Sequence, residues 1–281
     1  MSFTTYVTTW DSDPLQQIQD MINKGALVAN TRVILAFASF NFASTDYIPG
    51  FGSISLAETQ QIVNVVHANN AKISLSIGGA TYPFFGSDLY DRPGDLATNI
   101  NAILTKCGFD GVDFDIEDSY TSVPANFATQ AASVINTLKN INPSLYITLT
   151  TAAQAWATTA YQQTLINYTI GNLDAWQPME YDLWIGPGYT YTTQIQYDLQ
   201  YYLTGWQIPI NKLILGLMPG LDDMQRDLSL QDALNCTSMA INTGLKGVMT
   251  WDANRDSKGI DGNAPYAFCM GIQSMLKKYR R

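Results

Sequence analysis

Residues Gly108–Tyr120 read GFDGVDFDIEDSY. Asp110, Asp113, Asp115 and Glu117 fall within eight residues, and the last three are spaced by two, with Phe114 and Ile116 between them. On a β-strand, side chains two apart share a face. Three carboxylates then line one face, and Val112, Phe114 and Ile116 line the other. A β-branched and aromatic face is what a strand packed beneath helices requires, so the acids must look into a crowded interior or toward its mouth. Burying such a row is costly unless its members share protons and hydrogen bonds.

Working outward, the chain alternates strand and helix. Strands are predicted over Thr4–Trp10, Thr31–Phe40, Lys72–Ile77, Gly111–Glu117, Leu145–Thr151, Ala175–Tyr181, Lys212–Met218 and Gly247–Trp251. Helical spacing fills Leu15–Lys24, Ser55–Asn69, Gly94–Cys107, Pro124–Asn140, Thr158–Asn167, Thr192–Thr204, Leu230–Thr243 and Ala264–Lys278. Asp13-Pro14 reads as a polar cap before proline and Ser55-x-x-Glu58 as a capping box. Eight such units in 281 residues predict an α/β fold, a single (β/α)8 TIM barrel spanning residues 1–281 as one catalytic domain. A doubly wound open sheet is the runner-up, disfavoured because no GxGxxG follows the first strand.

Hydrophobic residues make up 46% of the chain, enough for a substantial core, and the net charge is −9. That balance argues against a nucleic-acid or anionic-membrane surface and fits a neutral or cationic ligand. No apolar run approaches the ~20 residues of a membrane span. The opening MSFTTYVTTW lacks a basic n-region and a long apolar h-region, so it does not read as a secretory signal. Cys107, Cys236 and Cys269 are odd in number and far apart, giving neither a zinc spacing nor a disulfide framework, and read as free thiols. The single histidine, His67, lies at a predicted helix end, which rules out a metal cluster needing two histidines of this chain. No metal or cofactor is expected.

In a (β/α)8 barrel, chemistry belongs at the C-terminal ends of the strands. Those ends carry Trp10, Asn41, Gly78-Gly79, Glu117, Gln154, Tyr181-Asp182, Met218 and Trp251-Asp252. Aromatic faces suit pyranose C–H surfaces and carboxylates suit acid–base work, so the set reads as a sugar site. Any one aromatic alone reads equally as a plug of the barrel mouth.

Four segments together resemble glycoside hydrolase family 18, the chitinases and related endo-β-N-acetylglucosaminidases. Asp110–Glu117 matches its DGxDxDxE signature, Ser76–Gly79 its SxGG, Met179–Asp182 its MxYD, and Gly247–Trp251 its eighth-strand tryptophan motif. The resemblance runs from about Tyr6 to Met275. It implies that Glu117 is the general acid and that the substrate's own acetamide, not a second carboxylate, attacks the anomeric carbon. Asp115, about 6–7 Å along the strand, would raise the Glu117 pKa, orient the acetamide and stabilise the oxazolinium ion. Asp113 would hydrogen-bond Asp115 from beneath and share a proton with it. Tyr181 would donate to the acetamide oxygen, Trp251 would floor the sugar pocket, and Asp182 would hold a sugar hydroxyl or the proton network. Met179 reads as core that also touches the pocket. Tyr6 and Gln154 are pocket candidates only by their places on or just past strands one and five.

Asp110, of opposite parity, reads as a structural turn residue. Ser76, Gly78 and Gly79 read as packing and turn residues near the site, and Glu180 and Asp118 as facing away from it. Trp156, Trp184 and the tyrosines around Tyr189–Tyr191 read either as outer sugar platforms or as packing. From Met218 to Leu230 there is only a short loop, where the deep-cleft chitinases of the family carry an α+β insertion, so an open groove and endo cleavage are expected. The resemblance implies a substrate of chitin or another N-acetylglucosamine-containing oligosaccharide, with secretion expected from the family. Three readings remain: a retaining endo-acting chitinase, an endo-β-N-acetylglucosaminidase acting on the N-glycan core, and a non-hydrolytic chitinase-like lectin. Lectins of the family usually lose the acid at the position of Glu117, which is kept here.

Overall fold

The computed structural model describes residues 1–51, 54–118, 123–153, 160–182, 185 and 188–279. Eight parallel strands close into a barrel: β1 (Ser2–Thr8), β2 (Thr31–Ala38), β3 (Lys72–Gly78), β4 (Gly111–Asp115), β5 (Tyr146–Ala152), β6 (Ala175–Met179), β7 (Ile214–Leu217) and β10 (Gly247–Thr250). Around the ring the order is β1-β10-β7-β6-β5-β4-β3-β2. Closure excludes the open doubly wound sheet. Between β7 and β10, two short strands, β8 (Gly220–Leu221) and β9 (Asp227–Leu228), pair antiparallel as a hairpin.

The helices form where sequence chemistry starts and stops them. The first, α1 (Pro14–Lys24), opens with the Asp13 side chain accepting from the amides of Leu15 and Gln16, and ends at Gly25 in the left-handed region. Ser55 and Glu58 close a reciprocal capping box on α2 (Leu56–Ala68). Then follow α3 (Pro93–Cys107), α4 (Phe127–Ile141), α5 (Ala160–Thr169), α6 (Tyr191–Thr204), α7 (Leu230–Thr243), the one-turn α8 (Ala253–Asp256) and α9 (Ala267–Lys278). Their apolar stripes pack on the outer face of the barrel, where Val112, Phe114 and Ile116 are at most 1% exposed. The three cysteines are free and buried. Among the described residues, no helix is long and apolar enough to cross a membrane.

Some strand ends differ from the sequence reading in ways that shape the mouth. β1 stops at Thr8, so Trp10 stands beyond it and is 57% exposed. β4 stops at Asp115, so Glu117 leaves the ladder after one last hydrogen bond, from the Ile116 amide to the Thr150 carbonyl. The segment expected as a plain loop between Met218 and Leu230 folds as the β8–β9 hairpin over the mouth.

The interior parity of β4 is set at its base. Asp110 lies outside the barrel, where its carboxylate takes Lys72 Nζ at 2.8 Å, the Ile73 amide at 2.9 Å and His67 Nε2 at 2.8 Å. This is the structural role its parity predicts, and it places His67 far from the strand C-termini.

Candidate active site

Register fixes the neighbours of the acids. Asp113 lies beside Ser76 on β3 and Thr148 on β5, and Asp115 beside Gly78 and Thr150. Strand alternation turns all these residues inward. Five donors converge on the fully buried Asp113: Tyr6 Oη and Ser76 Oγ reach Oδ2, each at 2.7 Å, and Thr148 Oγ1 (2.6 Å), Thr150 Oγ1 (2.8 Å) and Gln177 Nε2 (3.3 Å) reach Oδ1. An ionised carboxylate offers about four lone-pair sites, so this cage saturates it. Burial pushes the Asp113 carboxyl up, and the hydrogen bonds from Thr148, Tyr6, Ser76 and Thr150 pull back.

Asp115 is also buried, at 2% exposure, yet its Oδ1 meets no hydrogen-bond donor among the described residues. Its pKa stands well above the ordinary range, through burial first and then through the charges of Glu117 and Asp113. Of two acids that interact this strongly, the one with the donors keeps the charge and the other keeps the proton. The expected proton-sharing hydrogen bond between the two has no open acceptor site on Asp113.

The close approach of β3 and β4 at this level depends on Gly78. Its φ is +117°, and a Cβ there would overlap the Asp115 carbonyl oxygen. The next amide, Gly79 N–H, donates to that same carbonyl at 2.9 Å.

Glu117 lies just past the strand, lining a cavity of about 680 Å³. Its pKa is pushed up to about 7, by burial first, with the Ala80 amide opposing and the charges of Asp182, Asp223 and Asp118 adding. The expected repulsion between Glu117 and Asp115 is present as well, and it shows in the raised pKa of Asp115. The Glu117 side chain is open to solvent in the empty cavity while protein atoms crowd around it, so a bound molecule would complete the desolvation.

Trp10, Phe37, Ala80, Tyr82, Asp115, Met179, Tyr181, Asp182, Met218, Asp223, Trp251 and Arg255 line the same cavity. Trp251 stacks on Phe37 (centroids 5.4 Å apart) and meets Tyr6 edge-on (5.1 Å). Tyr181 lies near enough to Asp115 and Glu117 for their charges, after burial, to raise its phenol well above the usual value. The hairpin is latched to β6: the Asp182 amide donates to Asp222 Oδ2 at 2.8 Å, and the Asp223 amide to Asp182 Oδ1 at 2.6 Å. Arg255 Nη1 donates to the Leu221 carbonyl at 2.6 Å.

The structure thus brings Asp115, Glu117, Met179, Tyr181, Asp182 and Trp251 to one cavity. Tyr6 is not at its surface: it is fully buried, and its hydroxyl holds Asp113. Ser76 does more than pack, since it donates to the same carboxylate. Gln154, Trp156 and Trp184 lie outside the described residues. Tyr189 is 52% exposed, whereas Tyr191 is 7% exposed, with its hydroxyl 3.5 Å from Asp222. Asp118 points away, accepting from the Phe84 and Phe85 amides at 2.9 and 2.8 Å. Glu180 also points away but is fully buried against α6, not solvated. Asp252 caps α8 through the Arg255 amide.

Sequence reasoning missed Thr148, Thr150, Gln177, Phe37, Asp223 and Arg255. Parity would have found Gln177, two before Met179, and the two threonines beside Asp113. It could not find Phe37, because the β2 register shifts between Leu35 and Ala38 and reverses which residues face inward.

Among the described residues, no group of three or more His, Cys, Asp or Glu side chains is placed to hold a metal ion. Comparison with solved structures finds the same fold throughout. The catalytic domain of a hyperthermophilic chitinase from Pyrococcus furiosus superposes with a TM-score of 0.78 at 17% identity, covering 100% of this chain and 96% of that one. Catalytic-site mutants of active domain 2 of a thermostable chitinase from the same organism, complexed with chito-oligosaccharides, give 0.77, 17%, 100% and 96%. A GH18 chitinase from Pseudoalteromonas aurantia gives 0.76, 17%, 99% and 99%. No curated protein matches the sequence. The family model described as "Glycosyl hydrolases family 18" matches residues 2–219, and the chain belongs to that family of glycoside hydrolases.

Proposed function

We propose that the protein is an endo-acting, retaining chitinase that hydrolyses β-1,4-linked N-acetylglucosamine polymers by substrate-assisted catalysis. The observation that carries this reading is the pairing, in one cavity, of a carboxyl poised near pH 7, Glu117, with a buried carboxyl whose Oδ1 has no donor, Asp115. A general acid works best with a pKa near the operating pH. Asp115 lines the cavity, and its buried, donor-free oxygen would be matched by an N–H donor on the ligand once the side chain turns toward it; the N-acetyl group of the sugar supplies such a donor.

In the first step Glu117 gives its proton to the glycosidic oxygen as the C1–O bond breaks. The acetamide carbonyl oxygen attacks C1 from the other face, giving an oxazolinium ion and the protonated leaving sugar. Asp115, turned toward the sugar, accepts from the acetamide N–H and so orients the acetamide for its attack on C1. Tyr181 donates to the acetamide oxygen. Glu117, now ionised, takes a proton from water, whose oxygen attacks C1 and reopens the ring. Two inversions leave the anomeric configuration retained. Trp251 offers an apolar face to the sugar, and Asp182 and Asp223 line the cavity beside the acid. Endo cleavage is supported by the small β8–β9 hairpin, which stands between β7 and α7 where the deep-cleft members of the family carry a larger insertion.

The test uses chitin oligomers, a high-mannose glycopeptide and fully deacetylated oligomers. Cleavage of the first alone, abolished in Glu117→Gln while oligomer binding persists, is the expected result. Cleavage of the glycopeptide instead would assign the N-glycan-core activity. Turnover of deacetylated oligomers would exclude the acetamide mechanism, and a Glu117→Gln variant as active as the wild type would exclude the acid.

A further inference from the structure

At the end of the barrel opposite the catalytic mouth, a second cavity of about 320 Å³ opens among the N-terminal ends of the strands. Its charged lining residues are Arg32 at the start of β2, Lys72 at the start of β3 and Lys246 just before β10, and no carboxylate lines it. The chain carries 24 acidic and only 15 basic residues, so a pocket whose charged side chains are all cationic runs against its overall charge.

Arg32 turns into the barrel floor. Its guanidinium lies over the Tyr146 ring, 3.9 Å from the centroid, and Lys246 Nζ lies 5.4 Å from the same centroid. Among the described residues Arg32 makes one hydrogen bond, Nη1 to Ser74 Oγ at 2.9 Å, and no ion pair. Lys246 Nζ donates to the Asp174 backbone carbonyl at 2.6 Å and likewise has no carboxylate within ion-pair distance. The acids nearby are committed elsewhere. Asp110 is shared by Lys72, His67 and the Ile73 amide, and Asp174 takes Lys139 Nζ at 3.0 Å and the Ile147 amide at 2.9 Å.

A guanidinium stacked on a tyrosine would serve as a floor plug by itself, and the N-terminal face of such barrels is usually the stabilising one. A plug leaves Lys246 unexplained. Two cations over one ring, with Asp174 and Asp110 acting on them only from beyond ion-pair distance, repel each other, and half-burying them costs free energy that an anion would return. Burial lowers the pKa of both Arg32 and Lys246; Asp174 opposes this at both and Asp110 at Arg32, while Lys212, Arg32 and Lys139 lower that of Lys246 further.

We infer that this floor cavity is a binding site for a phosphate-class oxyanion, free or as a phosphomonoester, held between Arg32 and Lys246 with Lys72 at the rim. Arg32 keeps N–H donors beyond the one given to Ser74, and its planar fork suits two oxygens of one phosphate. Lys246 supplies a point charge from the other side.

The test is made on the full chain, with inorganic phosphate and glycerol phosphate as probes and chloride at matched ionic strength as the reference. Calorimetric titration and thermal unfolding are the readouts. Saturable phosphate binding with a rise in Tm beyond that in chloride is expected. Lys246→Gln and Arg32→Gln should each weaken that binding roughly tenfold or more, since hydrogen bonds to charged groups are worth that much. Chitin-oligomer hydrolysis by Lys246→Gln should be unchanged. If Arg32→Gln does not fold, Lys246→Gln at the half-buried edge carries the test. Binding of glycerol phosphate as well as inorganic phosphate assigns the site to esters, and binding of inorganic phosphate alone assigns it to the free ion. The inference fails if phosphate stabilises no more than chloride, or if Lys246→Gln binds phosphate as the wild type does.

Discussion

Asp113 and Asp115, two apart on the same face of β4, stand in opposite surroundings: five donors converge on the first, and Oδ1 of the second meets none among the described residues. The barrel spends its inward-facing hydroxyls on the lower acid. The upper one, beside Glu117, lines the cavity but keeps a buried oxygen without a donor among the described residues. A fold assembled only for stability would distribute those donors, because an unmatched buried acceptor costs more than a surplus donor returns.

Replacing each of the two acids by asparagine separates a structural role from a chemical one. Asp113→Asn turns an amide N–H₂ toward a cage of donors and should cost about 1–3 kcal/mol of stability. Asp115→Asn removes a costly buried ionisable group without disturbing a filled cage. It should leave the urea midpoint unchanged or raised while turnover of chitin oligomers falls sharply. Equal losses of stability in both variants would contradict the division.

The pH profile reports on Glu117. The general acid proposed at Glu117 must carry its proton, so kcat/KM should fall as pH rises through about 7. The charges of Asp182 and Asp223 help hold that proton by opposing ionisation. Asp223→Asn removes one of them without touching the Asp182 carboxylate, so the alkaline limb should move to lower pH. Asp223 donates its backbone amide to Asp182, an interaction that the asparagine keeps. A limb that stays in place, or moves to higher pH, would show that the hairpin does not set the proton affinity of the acid.

The barrel and the acidic row were legible because both rest on periodicity. Alternation over Val112–Glu117 sets the inward acids, and eight strand–helix units set closure. Asp110 was correctly assigned away from the site by the same parity. What parity cannot carry is reach. Tyr6 has the inward parity of a pocket residue, yet it lies one layer below the cavity and is spent on Asp113. Asp223 comes from a two-residue-strand hairpin that no propensity marks, and it arrives beside Glu117 only through the latch between Asp182 and Asp222. The Glu117 pKa was expected to follow from the adjacent strand carboxylate. That repulsion is there, but crowding and acids distant in sequence, which only the folded chain brings together, add to it.

Gly78 tests the packing that holds the two strands together. Its φ of +117° is closed to residues with a Cβ, and that atom would overlap the Asp115 carbonyl. Gly78→Ala should therefore cost about 2 kcal/mol or more. It should also shift Asp115, so that turnover falls beyond what the lost stability explains. Gly94→Ala is the control: a Cβ there meets nothing within 4 Å, and stability should change little. Near-equal denaturation midpoints for the two variants would mean that β3 and β4 can separate at this level without penalty.

A second acid pair lies outside the cavity and governs stability, not chemistry. Glu180, between Met179 and Tyr181, faces Asp198 of α6, and both are fully buried. Gln194 Nε2 donates to Asp198 Oδ2 at 2.9 Å. Burial raises Asp198 from the ordinary 3.8 to about 6, and burial followed by the charge of Asp198 raises Glu180 well above its usual range. A carboxyl whose folded pKa exceeds its unfolded one binds its proton more tightly when folded. The stability this gives is fully present below the unfolded value and is lost as pH rises through the folded one. For Asp198 that window runs from 3.8 through about 6. Asp198→Asn keeps an acceptor for Gln194 and removes the titration, so at neutral pH it should be more stable than the wild type, by on the order of 1–2 kcal/mol. Below the window the two should converge. Glu117 loses its proton with the same sign near pH 7, but that contribution is common to both proteins and cancels in the difference of their urea midpoints. A difference that is flat with pH, or that favours the wild type more as pH rises, would show that Asp198 is not held protonated by the fold.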